Sequence, residues 1–251
     1  MISLLYLSQI RVKLLLKNSI DTLSIQVRTV TTLLPFLIMT IVGTSQNDKT
    51  IFILTSFLLT LFIGNNVIMC SIYALEEKRK GRGNYYQVIG IKPNTIVLGN
   101  MIPWIIISFF STILTFSLSI YIFHISVLSS HLLETVFVIV ILTIQSYCIG
   151  FVIAYFAVLK NNIKTTFYIF SIIQFFSGYI YPVDYIPVPL RYLVYVNPFF
   201  YGIDGFRQLL QLDYFLDISL YSKLGLVSFI TVILVLGVKI ISSKNWKWDN
   251  A

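Results

Sequence analysis

Charge is what this sequence of 251 residues has least of. Asp, Glu, Lys and Arg together make up 11% of it, against about 25% in an ordinary soluble domain. With 57% of residues hydrophobic, too few polar side chains remain to cover a water-soluble globule of this size. A soluble enzyme, a nucleic-acid-binding domain and a disordered linker are all poor fits. Cysteine is scarce too: Cys70 and Cys148 both lie in apolar runs, so no secreted disulfide scaffold is implied. No G-x-x-x-x-G-K-[ST] phosphate loop is present, so the chain does not bind and hydrolyse ATP in the usual manner by itself. No G-x-S-x-G occurs either.

What is present is apolar sequence in long runs. A membrane-crossing helix needs about 20 mostly apolar residues, because the hydrocarbon core is about 30 Å thick and each helical residue rises about 1.5 Å. The runs predict an all-α membrane protein with six transmembrane helices at 29–47, 51–75, 96–123, 133–159, 164–182 and 223–241. The last apolar run is short, and Lys223 and Lys239 at its ends are expected to snorkel to the two surfaces. A transmembrane β-barrel is disfavoured, because the runs are continuously apolar rather than alternating.

Orientation follows from the basic residues, of which there are eighteen against ten acidic ones. With both termini cytoplasmic, the inner side carries Arg11, Lys13, Lys17, Arg28, Lys78, Arg79, Lys80, Arg82, Lys92, Lys160, Lys164, Lys239, Lys244 and Lys247, fourteen of the eighteen. Lys49, Arg191, Arg207 and Lys223 fall outside. A five- or seven-span count would put a basic loop on the wrong side. The expected location is therefore a cell membrane, crossed several times. At the N-terminus, Leu4, Leu5, Leu7, Ile10, Leu14 and Leu15 recur at helical spacing among basic residues. Residues 1–28 read as an amphipathic helix lying on the inner leaflet, with a frayed basic tail as the plainer alternative. The basic residues follow the apolar start and no small-residue cleavage site appears, so this is not a signal peptide.

Three features are not simple spans. The loop 76–93 is the densest charge cluster in the chain, with Glu76, Glu77, Lys78 and Arg79, followed by an amphipathic stretch at 85–91 that begins Tyr85-Tyr86 and that Gly90 and Pro93 would end. A short helix held between two span ends can pass a push from a soluble partner into both; a basic anchor on anionic lipid is at least as good an account from composition. The external segment 183–215, with the residues just before it, is apolar, aromatic and rich in proline. Proline breaks helices, and freed backbone at membrane depth must be satisfied by protein or trapped water. The segment reads as two short re-entrant or interfacial helices between the fifth and sixth spans, serving as a packing plug or as a gate. Inside the spans, Gln145 and Gln174, with the adjacent Phe175, are candidates for a transport pathway. Hydrogen bonding between helices is the commoner role for such residues.

Catalytic readings fare worse. His124, His131 and Glu134 fall within one short external loop, without a second His–carboxylate set to complete a metal site. Glu76-Glu77 resembles the start of the EE-x-x-x-R motif of membrane-embedded CAAX-type proteases, but Gly81 stands where Arg is required and no His lies in a span. A membrane-bound enzyme would have to rest on the residues at 124–134 alone.

The order of segments resembles the type-2 ABC transporter permeases. These are the membrane subunits of many bacterial exporters of drugs, peptides, lipids and polysaccharides. The charged loop is similar to that family's pattern through Glu76, Glu77, Lys78, Arg79, Gly81, Gly83 and Pro93. The external segment is similar to its Gly…Pro…Pro…Asn-Pro…Asp…Arg series through Gly178, Pro182, Pro187, Asn197, Pro198, Asp204 and Arg207. The resemblance covers nearly the whole chain. It implies ATPase-coupling residues at Glu76, Glu77, Lys78, Arg79, Tyr85 and Tyr86, and an external gate at the series just named. It implies no cofactor in this chain, with ATP and Mg bound on a partner nucleotide-binding subunit. A second permease subunit would complete a homodimer or heterodimer. The cargo expected is a peptide, lipid or drug-like molecule; a polysaccharide or teichoic acid is the alternative within the family, and a membrane-bound enzyme the alternative outside it.

Overall fold

The computed structural model describes residues 47–123, 132–178, 183–210, 215–243 and 246. The expected interfacial helix at 1–28, nearly all of the span at 29–47, and Pro182, His124 and His131 lie outside the described residues.

Among the described residues the chain is helical. The elements are α1 (Asn47–Arg79), α2 (Arg82–Val88), α3 (Pro93–Phe123), α4 (Leu132–Lys160) and α5 (Lys164–Phe175), then a 3-10 turn at Val183–Tyr185, α6 (Val188–Val196), α7 (Phe200–Leu209) and α8 (Leu220–Ser242). By length and apolarity, three stretches among the described residues qualify to cross a membrane: Pro93–Phe110, Leu133–Lys160 and Leu220–Ser242. The expected span at 51–75 lies inside α1, a continuous helix of 33 residues.

Local chemistry sets the breaks. Gly81 takes a left-handed φ of 66° between α1 and α2, and Gly90 takes 75° just after α2, a conformation that costs a residue with a Cβ. Pro93 opens α3 at the first helical position, where its missing N–H is not needed. Ser219 caps α8 by accepting from the Ser222 amide at 3.2 Å.

Two expected boundaries move. The run at 164–182 is not one continuous helix: α5 has 12 residues, about 18 Å at the usual rise and too short to cross alone. Gly178 turns the chain there with φ 74°. The short helix in the charged loop runs over Arg82–Val88 rather than 85–91, because the left-handed Gly81 and an Arg82–Glu77 ion pair fix its start. Glu76 to Arg79 thus form the last turn of α1, not a loop.

Side-chain pairs give the helix directions. Asn66 meets Ser108 and Glu77 meets Asn100, so α1 and α3 are antiparallel. Lys78 reaches Val158, so α1 and α4 end together. The backbones come close at Gly150 of α4, where an added Cβ would stand 2.9 Å from Cys70 Sγ and 3.0 Å from Val67 Cα on α1. Small residues let helices in a bilayer approach to this distance. One apolar cluster joins α1 and α4 with α5 and α7 through Phe62, Leu142, Phe170 and Ile203. A second, towards α2, joins α1, α3 and α4 with the end of α8 through Tyr73, Met101, Phe151 and Val238.

Candidate functional site

The named residues gather at the two ends of this bundle. At the α2 end, Glu77 and Lys78 are buried while Arg79 is exposed. The Glu77 carboxylate accepts from Arg82 Nη2 at 2.7 Å and from Asn100 Nδ2 at 3.4 Å. Lys78 Nζ donates to the Val158 carbonyl at 3.0 Å, in the last turn of α4, where a cation is favoured by the helix dipole. Glu76 pairs with Lys80 one turn on at 3.3 Å, both partly exposed. Glu77 and Lys78 therefore face the bundle: Glu77 joins the start of α2 to α1 and α3, and Lys78 joins the end of α1 to α4.

The exposed set at this end is different. Tyr85 is 65% exposed, Val88 86% and Ile89 50%, and Arg79, Lys80 and Lys92 are exposed around them. Tyr86 turns inwards onto the apolar cluster, its ring edge-on to Tyr85 at 6.1 Å. Burial first, and the nearby Glu77 carboxylate second, push the Tyr86 hydroxyl above its usual range, against the opposing pull of Arg82. It is a neutral packing group at physiological pH. The presence of exposed apolar residues on a helix otherwise anchored by charge is the unusual feature here.

At the opposite end the signature residues turn inwards and bond to one another's elements. Asn197, just after α6, donates from Nδ2 to the Ile173 carbonyl of α5 at 2.6 Å and accepts from the Phe199 amide at 3.0 Å. Arg207 of α7 donates to the Gly178 carbonyl at 2.6 Å and to Ser56 Oγ of α1 at 3.1 Å. Asp204 accepts from the Phe215 and Leu216 amides at 2.6 and 3.2 Å. Its third partner is Lys223 Nζ at 2.8 Å, with both side chains almost wholly buried. Lys223 therefore does not snorkel to a surface: the carboxylate of α7 holds its ammonium inside the protein. Burial pulls the Arg207 guanidinium down to about 10, with Asp204 acting in the other direction, so it stays charged at neutral pH. Pro187 is the exposed residue preceding α6, and Pro198 sits half-buried before α7.

Gly178 is cramped as well as left-handed. An added Cβ would stand 3.1 Å from Val183 and 3.4 Å from the Phe200 ring. Gly178, Asn197 and Arg207 thus close the end of α5 onto α6 and α7, and Asp204 closes α7 onto α8.

The pathway candidates separate. Gln145 is fully buried on α4 and donates to Thr231 Oγ1 of α8 at 3.0 Å, an interhelical bond of the common kind. Gln174 and Phe175 sit at the end of α5, with Phe175 48% exposed and stacked edge-on to Phe176 at 5.0 Å. Sequence reasoning missed three partners: Ser56, Lys223 as an internal ion, and Trp246. A lysine at the edge of an apolar run is the one signal that pointed towards a functional or paired charge.

Residues 6–210 of the chain match the family model described as ABC-2 type transporter. Among curated proteins none matches.

Proposed function

The chain belongs to the ABC-2 type transporter family, and from that premise we propose that it is the membrane-spanning permease subunit of an ATP-driven exporter. ATP and Mg would be bound and hydrolysed on a separate nucleotide-binding subunit. That subunit docks on Tyr85, Val88 and Ile89, flanked by Arg79 and Lys80. The observation that carries this reading is the pairing of an exposed apolar tip on α2 with a base tied into α1, α3 and α4 by Glu77, Lys78, Arg82 and Asn100. A push on such a tip moves three long helices rather than a loose loop. The α2 end is then cytoplasmic, and both termini with it. The residues from Gly178 to Arg207 form the external closure. The cargo is a peptide, lipid or drug-like amphipath, with Gln174 and Phe175 on its path. The exposed apolar faces of α5 (Phe167, Ile172) and α8 (Phe229, Leu236) meet lipid or a second permease subunit.

Coexpression with candidate ATPase subunits tests the assignment. Wild type is expected to copurify with one of them, and Tyr85→Asp with Val88→Asp to lose it while keeping the wild-type unfolding midpoint. Undiminished copurification of the double variant would remove α2 as the docking surface.

A further inference from the structure

Trp246 lies beyond the end of α8 at Ser242, between Lys244 and Lys247 in the sequence, yet it is only 2% exposed. Its ring packs on two aromatic residues of α4 spaced one helical turn apart. The centroid distances are 5.1 Å to Phe151 and 5.6 Å to Tyr155. Its backbone carbonyl accepts from Gln87 Nε2, at the far end of α2 from Arg82, at 3.0 Å. One residue of the C-terminal tail therefore touches both α4 and the short helix. We propose that Trp246 is a positioning residue, a strap that holds α2 at a fixed distance from α4.

The physical case is that α2 has 7 residues, far fewer than the 12–15 or so at which an isolated helix becomes even marginal in water. Its place and angle must come from contacts. The Arg82–Glu77 pair pins the first turn, and Gln87 to the Trp246 carbonyl pins the last. The indole is seated in the cluster that includes Phe151 and Val158 of α4 and Val238 of α8, with Tyr86 packed against it. A helix pinned at one end pivots under load, whereas a helix pinned at both passes displacement on. Aromatic contacts of this kind stabilise beyond the area they bury, which keeps the indole seated on α4.

The coupling part of this role rests on the function proposed above, whereas the strap itself does not. Two measurements separate them. Nitroxide labels are placed at Val88→Cys and Leu159→Cys, both exposed sites, in the full chain; the native thiols of Cys70 and Cys148 are buried away from label. Wild type is expected to give one narrow distance between α2 and α4. Trp246→Ala loses that peak, Trp246→Phe retains it, and Gln87→Ala broadens it without changing the unfolding midpoint. A narrow peak in Trp246→Ala would overturn the strap. In the complex with the copurifying ATPase, Trp246→Ala is expected to lower the ATP hydrolysis stimulated by the permease at least about fivefold, the lower range of ordinary coupling between sites, with Trp246→Phe near wild type. Hydrolysis equal to wild type, with the peak lost, would reduce Trp246 to a structural part and overturn the positioning role. If wild type bound no ATPase, the coupling role would fall with the function above while the labels still reported whether Trp246 holds α2.

Discussion

The two ends of the bundle are built from the same kinds of residue to opposite effect. At the α2 end, buried Glu77 and Lys78 face inwards so that Tyr85 and Val88 can face out. At the α7 end, the charges face inwards and bond to the beginnings and ends of neighbouring helices: Arg207 to Gly178, Asp204 to Lys223 and to the amides of Phe215 and Leu216. The first end offers a surface. The second seals one. Charge density in a sequence therefore does not tell the two ends apart: both bury their charges, and the difference lies in the exposed apolar side chains that α2 carries beside them.

The largest effect is expected where the sealed end is opened. Asp204→Ala leaves Lys223 buried without its carboxylate, at a cost of about 3–5 kcal/mol. The drop in unfolding midpoint of the detergent-purified chain measures it. Asp204→Leu with Lys223→Met removes both charges and should recover most of that loss. A double variant no more stable than Asp204→Ala would show that the pair is not the source. Next comes the buried cation of the other end. Lys78→Ala removes a charge-assisted bond to the Val158 carbonyl and is expected to cost about 1.5–3 kcal/mol, seen in the same melt. A cost as large as that of Asp204→Ala would show that losing one charge-to-carbonyl bond here weighs as much as stranding a buried lysine at the other end.

Gly178→Ala combines a left-handed backbone with the 3.1 Å approach of Val183 and should lose about 1–3 kcal/mol. Its unfolding midpoint should fall without any change in partner binding, whereas Tyr85→Asp is expected to do the reverse. The smallest effect belongs to Glu76→Ala. Its pair with Lys80 is half-exposed, and such pairs contribute about 0.5 kcal/mol or less. A loss of several times that would mean Glu76 is held by more than this pair.

Much of the architecture was legible from spacing. Apolar runs located the long helices because burial and membrane length both leave that mark, and Gly90 with Pro93 placed the break between α2 and α3. The residues missed share one property: their meaning depends on a partner far along the chain. Lys223 at the edge of an apolar run reads as a surface anchor until Asp204 is placed beside it. The start of α2 was expected at Tyr85, where the hydrophobic pattern begins. It lies at Arg82, because an ion pair with Glu77 and the left-handed Gly81 fix the first turn. Trp246, in a short basic tail, carries no periodic signal at all.

Composition by itself determined that this chain belongs among helices in an apolar solvent. Hydrophobic content far in excess of polar cover has no soluble solution, and its run lengths match helical rise. Which charges look outward and which look inward was decided only by tertiary structure. A charged group is buried or exposed according to whether another element delivers an opposite charge or a backbone dipole within about 3 Å, a distance at which attraction offsets lost hydration. No single stretch of sequence contains that distance.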